Sequence, residues 1–486
     1  MPLEESNRGP EVLLAVRRTA DAPPLGAQVE AGLRAAVRDG RLRPGDRLPP
    51  SRTLARDLGV SRRLVVDAYD QLVAEAWLEA RVGAGTFVRR ALPAHPDGAR
   101  AAPPDDPVPA PTGVPATARP DGRPRIDFFP GHPDLAAFPR ADWQRATRAA
   151  LRELPDAALG YADPRGLREL RVALAALLAR TRGVVCRPGQ IVLCQGVVQA
   201  LGLLVRATAG SGRPVRVAVE DPYLHEHRDV LHHAGAEVVP VPVDELGVRD
   251  EAVAAARPDL ALVTPAHQCP TGVVLAAGRR AALARWAERH DALLVEDDYD
   301  AEYRYDRAPV AALQALAPRQ VVYLGSTSKT LAPGLRLAWM VVPEDRLAAV
   351  VQAKRYADGG SPVLEQAAFA RLLAAGAYDR HVRAARRRQR GRRDALVAAV
   401  ARELDGARVD GVAAGLHALV RLPAAVDAAA LVAAARARDV GVYPLSAYRA
   451  DPPARTSAVV LGYGALGEAA IAQGVRGLAA ALREVR

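Results

Sequence analysis

One lysine in the stretch VYLGSTSKTLAPGLRLAW belongs to a residue type that the rest of the chain avoids. Lys329 is one of two lysines in 486 residues, although lysine and arginine together number 66. A lysine amine can lose its proton and form an imine with a carbonyl compound, whereas an arginine guanidinium stays charged. Lys354, in VQAKRYADGG, fits a surface lysine left by chance. The pattern marks Lys329 as a candidate site of imine chemistry.

Three clusters of chemically useful residues each follow an apolar run that predicts a strand. QGVVQALGLL follows QIVLC, DDYDAEY follows ALLVE, and STSK follows VVYLG. Ligands of largely parallel sheets bind at the carboxyl ends of the strands, so we expect the clusters at one edge. A glycine before a helix start offers backbone amides to a phosphate, and Arg336 adds positive charge. In a ligand with an aromatic ring, the Asp297 carboxylate could pair with a protonated ring nitrogen, and the Tyr299 hydroxyl could contact a phenolic oxygen on that ring.

These groups match pyridoxal 5′-phosphate (PLP), which has an aldehyde, a phosphate, a basic ring nitrogen and a phenolic oxygen. Taken singly, the same residues have structural explanations. Asp297 and Asp298 suit a solvated turn, and residues 326–328 suit a helix cap. Their combination in chain order favours the cofactor. The sequence therefore predicts a PLP site at Lys329, and no cysteine or histidine spacing predicts a metal site.

The elements that must position these clusters alternate between strand and helix. The apolar runs QIVLC, VRVAV, LALVT, ALLVE and VVYLG are separated by helical segments such as AAGRRAALARWAERH. This alternation predicts an α/β domain with a mostly parallel sheet and helices on both faces.

The composition bounds the class of protein. The apolar fraction is 50%, which is ample for a core, and the length favours more than one domain. The net charge of +11 permits an anionic partner without identifying one. Three cysteines form no framework, the first residues lack a signal pattern, and no apolar run approaches the ~20 residues of a membrane span. We therefore expect a soluble cytoplasmic protein.

A proline-rich segment divides the chain. Ten prolines occur in the 32 residues from Pro93 to Pro124, with almost no large apolar side chain. Such a composition predicts a linker, extended where it adopts polyproline II. The predicted boundaries are a front domain at 1–92, a linker at 93–124 and a larger domain with the predicted PLP site at 125–486.

The sequence of the front domain predicts three helices and a hairpin. Val29, Leu33 and Val37 follow a helical spacing that ends at Gly40. Ser51 and Ser61 are expected to cap two further helices, which Gly59 separates. Two short helices joined by a glycine turn make a helix-turn-helix, and WLEARVGAGTFVRR suits a two-stranded wing. The domain carries 15 Arg against 12 Asp plus Glu, so DNA binding would depend on placement rather than bulk charge.

The stretch GRLRPGDRLPPSRTLARDLGVSRRLVVDAYDQLVAEAWLEARVGAGTFV resembles the GntR-type winged helix-turn-helix over its whole length. The resemblance implies that Arg52 meets the DNA backbone and that the recognition helix enters the major groove with Ser61, Arg62 and Arg63. It places Gly85 and Thr86 at the wing tip. Arginine can fork onto guanine or a phosphate, although solvated helix-start residues are the alternative for Arg62 and Arg63. Ala76 stands where the family usually has glycine.

The segments LGYADPRGLRELRVALAALLARTRGV, VTPAHQCPTG, VEDDYDAEYRY and STSKTLAPGLRLAW resemble the aminotransferase-like, fold-type-I domain of MocR-type regulators. MocR-type regulators join this domain to a GntR-type winged helix. The resemblance also implies a small α/β subdomain at the C-terminal end of the aminotransferase-like domain. The resemblance makes Lys329 the Schiff-base lysine, pairs Asp297 with the pyridine nitrogen and turns Tyr299 to the ring hydroxyl. The residues that it places around the phosphate are Gly196, Val197, Val198, Ser326, Ser328 and Arg336. It also implies a homodimer.

The sequence departs from working aminotransferases at several positions. Cys269 in HQCPTG replaces an asparagine that contacts the ring oxygen, and Val197 and Val198 replace frequent polar residues. The aromatic residue that stacks on the ring is shifted by one, which leaves Tyr223 or Leu224 there. The candidates for the arginine that binds a substrate carboxylate stay open: Arg436, Arg438, Arg449 and Arg455.

Two further patterns have mainly structural interpretations. Eight arginines between Arg380 and Arg393 suit a solvated or interface helix better than a second nucleic-acid site. The histidines of LHEHRDVLHHAG suit a helix surface better than a metal site. We therefore predict a transcriptional regulator that binds operator DNA and responds to PLP or an amino compound through an imine at Lys329. The alternative is an active aminotransferase that carries a DNA-binding domain.

Overall fold

The computed structural model describes residues 14, 16–19, 22–89, 124–161, 163–210, 212–306, 310–451, 453 and 456–485. The predicted linker lies outside the described residues except for Pro124, and so does Arg455. The chain divides into two compact units, Met1–Ala110 and Pro111–Arg486. No helix in the described ranges is long and apolar enough to cross a membrane.

The first unit is the predicted winged helix-turn-helix. It consists of α1 (Leu25–Arg38), α2 (Ser51–Leu58), α3 (Arg62–Ala74) and the antiparallel hairpin of β1 (Leu78–Arg81) and β2 (Gly85–Val88). Its single core takes the side chains of α1 that follow the helical spacing, together with apolar residues of α2, α3 and both strands.

The helix ends of this unit confirm most of the predicted turn chemistry. Gly59 ends α2 with a φ of 62°, a left-handed conformation that suits glycine. Ser61 caps α3 by accepting a hydrogen bond from the Leu64 amide at 3.2 Å. The prediction for Ser51 is wrong because Pro50 occupies the cap position and Ser51 is the first helical residue. Ala76 adopts the left-handed conformation, with a φ of 64°, that glycine would take.

The second unit contains a central sheet of eight strands in the order β4-β11-β10-β9-β8-β5-β6-β7. Strands β10, β9, β8, β5 and β6 pair in parallel, whereas β11 and β7 run antiparallel to their neighbours. The strands of this sheet are β4 (Ile191–Cys194), β5 (Arg216–Asp221), β6 (Glu237–Asp244), β7 (Gly247–Val248), β8 (Leu260–Val263), β9 (Leu293–Asp297), β10 (Val321–Ser326) and β11 (Ala338–Val341).

Helices cover both faces of this sheet, as predicted. Along β5, Val217 packs into one hydrophobic core and the next residue, Ala218, packs into another, because successive side chains point to opposite faces. The helices of this part are α4 (Arg140–Glu153), α5 (Arg168–Arg182), α6 (Val197–Thr208), α7 (His225–His233), α8 (Asp250–Ala256), α9 (Ala277–His290), α10 (Glu344–Asp358), α11 (Val363–Ala374) and α12 (Ala377–Glu403).

A smaller α/β part completes the second unit, as the resemblance implied. Its four-stranded sheet has the order β12-β13-β16-β15, and a separate parallel pair joins β14 to β3. Its elements are β3 (Ile126–Asp127), β12 (Arg408–Asp410), β13 (His417–Arg421), α13 (Ala428–Arg436), β14 (Val440–Gly441), β15 (Tyr443–Pro444), β16 (Ala458–Gly462) and α14 (Glu468–Val485).

Candidate cofactor site

The sheet brings the three predicted clusters to one edge. Because β11 runs antiparallel to both β10 and β4, the carboxyl ends of β4, β9 and β10 point the same way. The register places Ser326 opposite Ala338, and Ala338 opposite Cys194, in one row across three strands. Neighbouring strands lie ~4.8 Å apart, so the loop after β4 and the loop after β10 are about 10 Å apart at their roots.

Lys329 lies in the loop after β10, and its amine faces backbone from the start of the second unit. Its Nζ donates a hydrogen bond to the Gly131 carbonyl oxygen at 2.6 Å. Gly131 has a φ of 81°, and a Cβ on it would lie 3.0 Å from Nζ. Burial holds the pKa of Lys329 below its ordinary value, although the nearby carboxylates of Asp300 and Asp297 oppose that shift. A lowered pKa favours the neutral amine that adds to a carbonyl group.

Asp297 ends β9 as a buried carboxylate with one unsatisfied oxygen. Its side chain is 2% exposed, and its Oδ2 accepts a hydrogen bond from the Tyr223 hydroxyl at 2.9 Å. Its Oδ1 is buried and has no hydrogen-bond partner among the described residues. Burial raises the pKa of Asp297 to about 6, with Asp298 adding to that shift and the Tyr223 hydrogen bond opposing it. A cationic N–H donor would satisfy this oxygen.

Tyr299 follows Asp297 by two residues, and a histidine holds its hydroxyl. The Tyr299 oxygen lies 3.1 Å from His267 Nδ1, which in turn lies 2.9 Å from Asp300 Oδ2. His267 and Asp300 are both buried. Burial raises the pKa of Tyr299 well above its ordinary value, and Asp300 adds to that shift, so the phenol keeps its proton. The sequence interpretation did not include His267 or Asp300.

An anion cradle lies between the start of α6 and Arg336. The first hydrogen bond of α6 runs from the Ala200 amide to the Gly196 carbonyl at 3.3 Å, so the amides of residues 197–199 precede it. Gly196 has a φ of 115°, and a Cβ there would collide with the Arg336 guanidinium. That guanidinium is exposed and makes no hydrogen bond or ion pair with any described residue.

The serines predicted for the phosphate lie in the loop after β10. Ser326 is the last residue of that strand, and its Oγ accepts a hydrogen bond from the Ser328 amide at 3.3 Å. Val197 is half-buried and Val198 is exposed, so their backbone amides are the groups that they offer. An amine, an unsatisfied carboxylate oxygen, a phenol and an open cationic cradle at one sheet edge fit the functional groups of PLP.

Two predictions about neighbouring side chains are wrong. Lys354 is not a surface lysine, since it is completely buried and its Nζ donates to Asp358 Oδ2 at 2.6 Å. His227 does not lie on a helix surface, because its side chain is 13% exposed and its Nδ1 lies 2.9 Å from the Tyr223 hydroxyl. Both side chains face the interior of the fold, which no local sequence pattern indicated.

Tyr223 and Leu224 were the two candidates for stacking on the cofactor ring. Tyr223 is fully buried, and its hydroxyl lies between Asp297 and His227. Leu224 is half-buried and packs at the border of two hydrophobic cores. Cys269 is buried, and burial raises the pKa of its thiol well above the ordinary value, so it offers a neutral side chain where an asparagine would donate.

The described C-terminal arginines differ in their surroundings. Arg438 contacts Glu484 at 2.6 Å, whereas Arg449 lies 3.6 Å from Asp221, two residues before Tyr223. Arg436 lies in the last turn of α13. On α12, Arg388 and Arg392 lie 3.7 and 2.7 Å from Asp134.

The first unit exposes the residues predicted to contact DNA at the start of α3. Arg62 and Arg63 are exposed, and Arg63 lies only 3.9 Å from Asp67 in a solvated pair. Arg52 is also exposed, in the first turn of α2. Gly85 and Thr86 are the first residues of β2 rather than the tip of the wing, which is the turn at 82–84. The hairpin therefore turns earlier than the sequence suggested.

The fold and this site define a winged-helix protein with an aminotransferase-like domain of fold type I. Residues 25–88 match the family described as bacterial regulatory proteins, gntR family, and residues 135–458 match aminotransferase class I and II. The second unit is similar to the crystal structure of kynurenine aminotransferase from Pyrococcus horikoshii in complex with PMP. The TM-score is 0.68 and the identity 26%, covering 74% of this chain and 91% of the other.

Similarity along the whole chain identifies the family. The chain is 35% identical over 478 residues to the probable rhizopine catabolism regulatory protein MocR of Rhizobium meliloti, covering 96% of each. It is 34% identical over 441 residues to the pyridoxine biosynthesis transcriptional regulator PdxR of Corynebacterium glutamicum, covering 90% of this chain and 91% of PdxR. The chain belongs to the MocR-type transcriptional regulators of the GntR family.

Proposed function

We propose that this protein is a PLP-binding transcriptional regulator whose second unit senses PLP, an amino compound or both. The observation that carries the cofactor proposal is the buried, unsatisfied Oδ1 of Asp297, at the same sheet edge as the Lys329 amine and the anion cradle. Family membership and the exposed arginines of α3 support DNA binding. The proposed boundaries remain 1–92, 93–124 and 125–486.

PLP supplies an aldehyde that amines attack and a ring that withdraws electrons when its nitrogen is protonated. In this chain Asp297 would hold the proton on that nitrogen, and Tyr223 and His227 orient the carboxylate. Tyr299 would contact the ring oxygen, with His267 fixing its hydroxyl. Lys329 would provide the amine.

The phosphate would lie in the anion cradle. Backbone amides of Gly196, Val197 and Val198, the hydroxyls of Ser326 and Ser328 and the guanidinium of Arg336 are the groups that we assign to it. Free amides at a helix start and an unpaired guanidinium both favour a dianion. Because Val197 and Val198 offer no side-chain donor, Arg336 carries more of the charge recognition.

A working aminotransferase is the second candidate. The presence of Lys329, Asp297 and Tyr299 in one site favours it, because these residues supply the groups that PLP chemistry requires. The buried, neutral Cys269 favours the regulator, since no side-chain amide at that position contacts the ring oxygen. A multiple-turnover assay with an amino donor and a 2-oxo acid separates the two, because a regulator gives at most one turnover per site.

We also propose that the protein acts as a homodimer on paired half-sites of double-stranded operator DNA. Several large apolar side chains of the second unit are exposed, among them Leu159, Tyr161 and Val185. A second copy would bury such side chains. Arg62 and Arg63 would contact base edges or phosphates, and Arg52 would contact the DNA backbone. Gly85 and Thr86 would contact DNA from the wing.

The cofactor proposal is tested on the full chain with borohydride, which fixes a lysine-linked cofactor as a stable amine. We expect a label on Lys329 and none on Lys354, whose ammonium is buried against Asp358. Lys329→Ala should lose the label and the visible absorbance that accompanies it. Labelling at Lys354, or absorbance that survives Lys329→Ala, would show the assignment wrong.

A further inference from the structure

The second lysine of the chain is as unusual in its surroundings as the first. Lys354 is completely buried near the end of α10, and its Nζ donates to Asp358 Oδ2 at 2.6 Å and to Ser361 Oγ at 3.0 Å. A compact ammonium can donate to several acceptors in a closed site, whereas a planar guanidinium needs more room and a wider fork of acceptors. This explains a lysine at 354 in a chain that otherwise uses arginine.

Asp358 connects this lysine to α6. The same oxygen, Asp358 Oδ2, accepts a second hydrogen bond from Gln199 Nε2 at 2.7 Å. The other oxygen, Oδ1, accepts from the Gly360 amide at 3.0 Å, which fixes the carboxylate in the turn after α10. Burial disfavours ionisation of Asp358, yet hydrogen bonds from Lys354 and Gln199 hold its pKa below the ordinary value. The carboxylate therefore remains charged.

Gln199 connects the Asp358 carboxylate to the backbone just before α6. Its Oε1 accepts a hydrogen bond from the Gln195 amide at 2.8 Å, four residues earlier. A carboxylate can only accept, so it turns the amide nitrogen of Gln199 toward itself and the amide oxygen toward Gln195. The residue after Gln195 is Gly196, where the anion cradle begins.

Lys354 has a second effect, which is electrostatic. Asp358 is only 14% exposed, so an unpaired carboxylate there would act on the cradle with little screening by water. The ammonium of Lys354 neutralises that charge. We propose that Lys354 is a positioning residue of the anion cradle, which fixes the start of α6 through Asp358 and Gln199 and keeps a buried negative charge from opposing a bound phosphate. This inference rests on the proposed function.

The experiment compares two ligands that differ only in the phosphate, PLP and pyridoxal. Their dissociation constants are measured by equilibrium dialysis on the full chain with Lys354→Met and with Gln199→Leu. Loss of one positioned hydrogen bond in a charged network is expected to weaken PLP binding about tenfold. Pyridoxal binding should stay within about twofold of wild type, because the ring and aldehyde contacts are unchanged.

Gln314→Leu is the matched control. Gln314 is a completely buried glutamine whose amide also bridges backbone, donating to the Val185 carbonyl at 2.8 Å and accepting from the Val185 amide at 2.9 Å. A general loss of packing in this control should leave the ratio of the two dissociation constants unchanged. Gln199→Leu keeps the Lys354–Asp358 pair, so it tests the relay even where Lys354→Met prevents folding.

The outcomes distinguish this inference from the proposal on which it rests. A selective loss of PLP affinity in Gln199→Leu supports the relay. Tight PLP binding by wild type with an unchanged ratio in both variants, or equal losses for PLP and pyridoxal, overturns the inference alone. No binding of PLP by wild type overturns the proposed function, and the inference with it.

Discussion

Replacing Asp297 with asparagine should favour the fold of the cofactor-free protein more at high pH than at low pH, while it weakens PLP binding. Asp297 carries one buried oxygen without a partner among the described residues, and burial raises its pKa to about 6 from the ordinary 3.8. A carboxyl whose folded-state pKa is raised adds most stability below its unfolded pKa. That stability is lost as the pH rises through the folded pKa.

The magnitude follows from these two values. At about 1.4 kcal/mol per pH unit, ionised Asp297 costs the cofactor-free fold about 3 kcal/mol at pH 8 and about 1 kcal/mol at pH 4.5. An asparagine at this position would carry no charge at either pH and its oxygen could still accept from the Tyr223 hydroxyl, but its amide nitrogen would replace Oδ1 as a buried group without a partner, at a cost of about 1–3 kcal/mol that does not depend on pH. We therefore expect the change in the free energy of unfolding caused by Asp297→Asn to be about 2 kcal/mol more favourable at pH 8 than at pH 4.5.

The assay is denaturant unfolding of the cofactor-free chain at the two pH values, followed by tryptophan fluorescence. Asp298→Asn is the matched control, because the neighbouring carboxylate is equally buried but bonded to Arg182 Nε at 2.6 Å and to the Tyr323 hydroxyl at 2.6 Å. Breaking that pair should destabilise the fold by roughly 3–5 kcal/mol. Equal stability changes for Asp297→Asn at both pH values would refute the reasoning.

Three further predictions concern other parts of the molecule. Ala76→Gly should stabilise the first unit by roughly 0.5–1 kcal/mol in thermal unfolding, because Ala76 holds a left-handed φ of 64°. Arg62→Ala should weaken specific DNA binding by roughly 1–3 kcal/mol if Arg62 forks onto a base, and an equal loss on random DNA would assign it to phosphate. Lys329→Ala should still bind operator DNA but no longer change its affinity when PLP is added, as measured by fluorescence anisotropy with wild type as control.

The sequence predicted those parts of the fold whose cause is local. Val29, Leu33 and Val37 line the core of α1 because a helix repeats every 3.6 residues, and all three are buried. The apolar runs became β4, β5, β8, β9 and β10 because buried strands read as continuous apolar segments. Ser51 was misassigned as a cap because Pro50, which has no amide to lose, took that position.

Contacts between distant residues could not be predicted from local patterns. Gly131 meets Lys329 across 198 positions, and Tyr223 meets Asp297 across 74. His267 gave no signal of its own, since one histidine in an apolar stretch is common in protein cores. From the sequence, Lys354 fits a surface lysine left by chance in an arginine-rich chain, and only the fold shows that it is completely buried.

The unsatisfied oxygen of Asp297 gives a physical source for a response to ligand. A ligand shifts an equilibrium between two states only by its difference in affinity for them. The folded, cofactor-free chain carries the cost of an uncompensated buried charge at Asp297, and a cationic ring nitrogen at Oδ1 would remove that cost, which is of the order of 3 kcal/mol relative to the unfolded chain at pH 8. A polar partner for both oxygens in the cofactor-free protein would remove that cost. Through this carboxylate PLP binding would favour any state of the protein that keeps Asp297 buried in this arrangement over a state that exposes it to water.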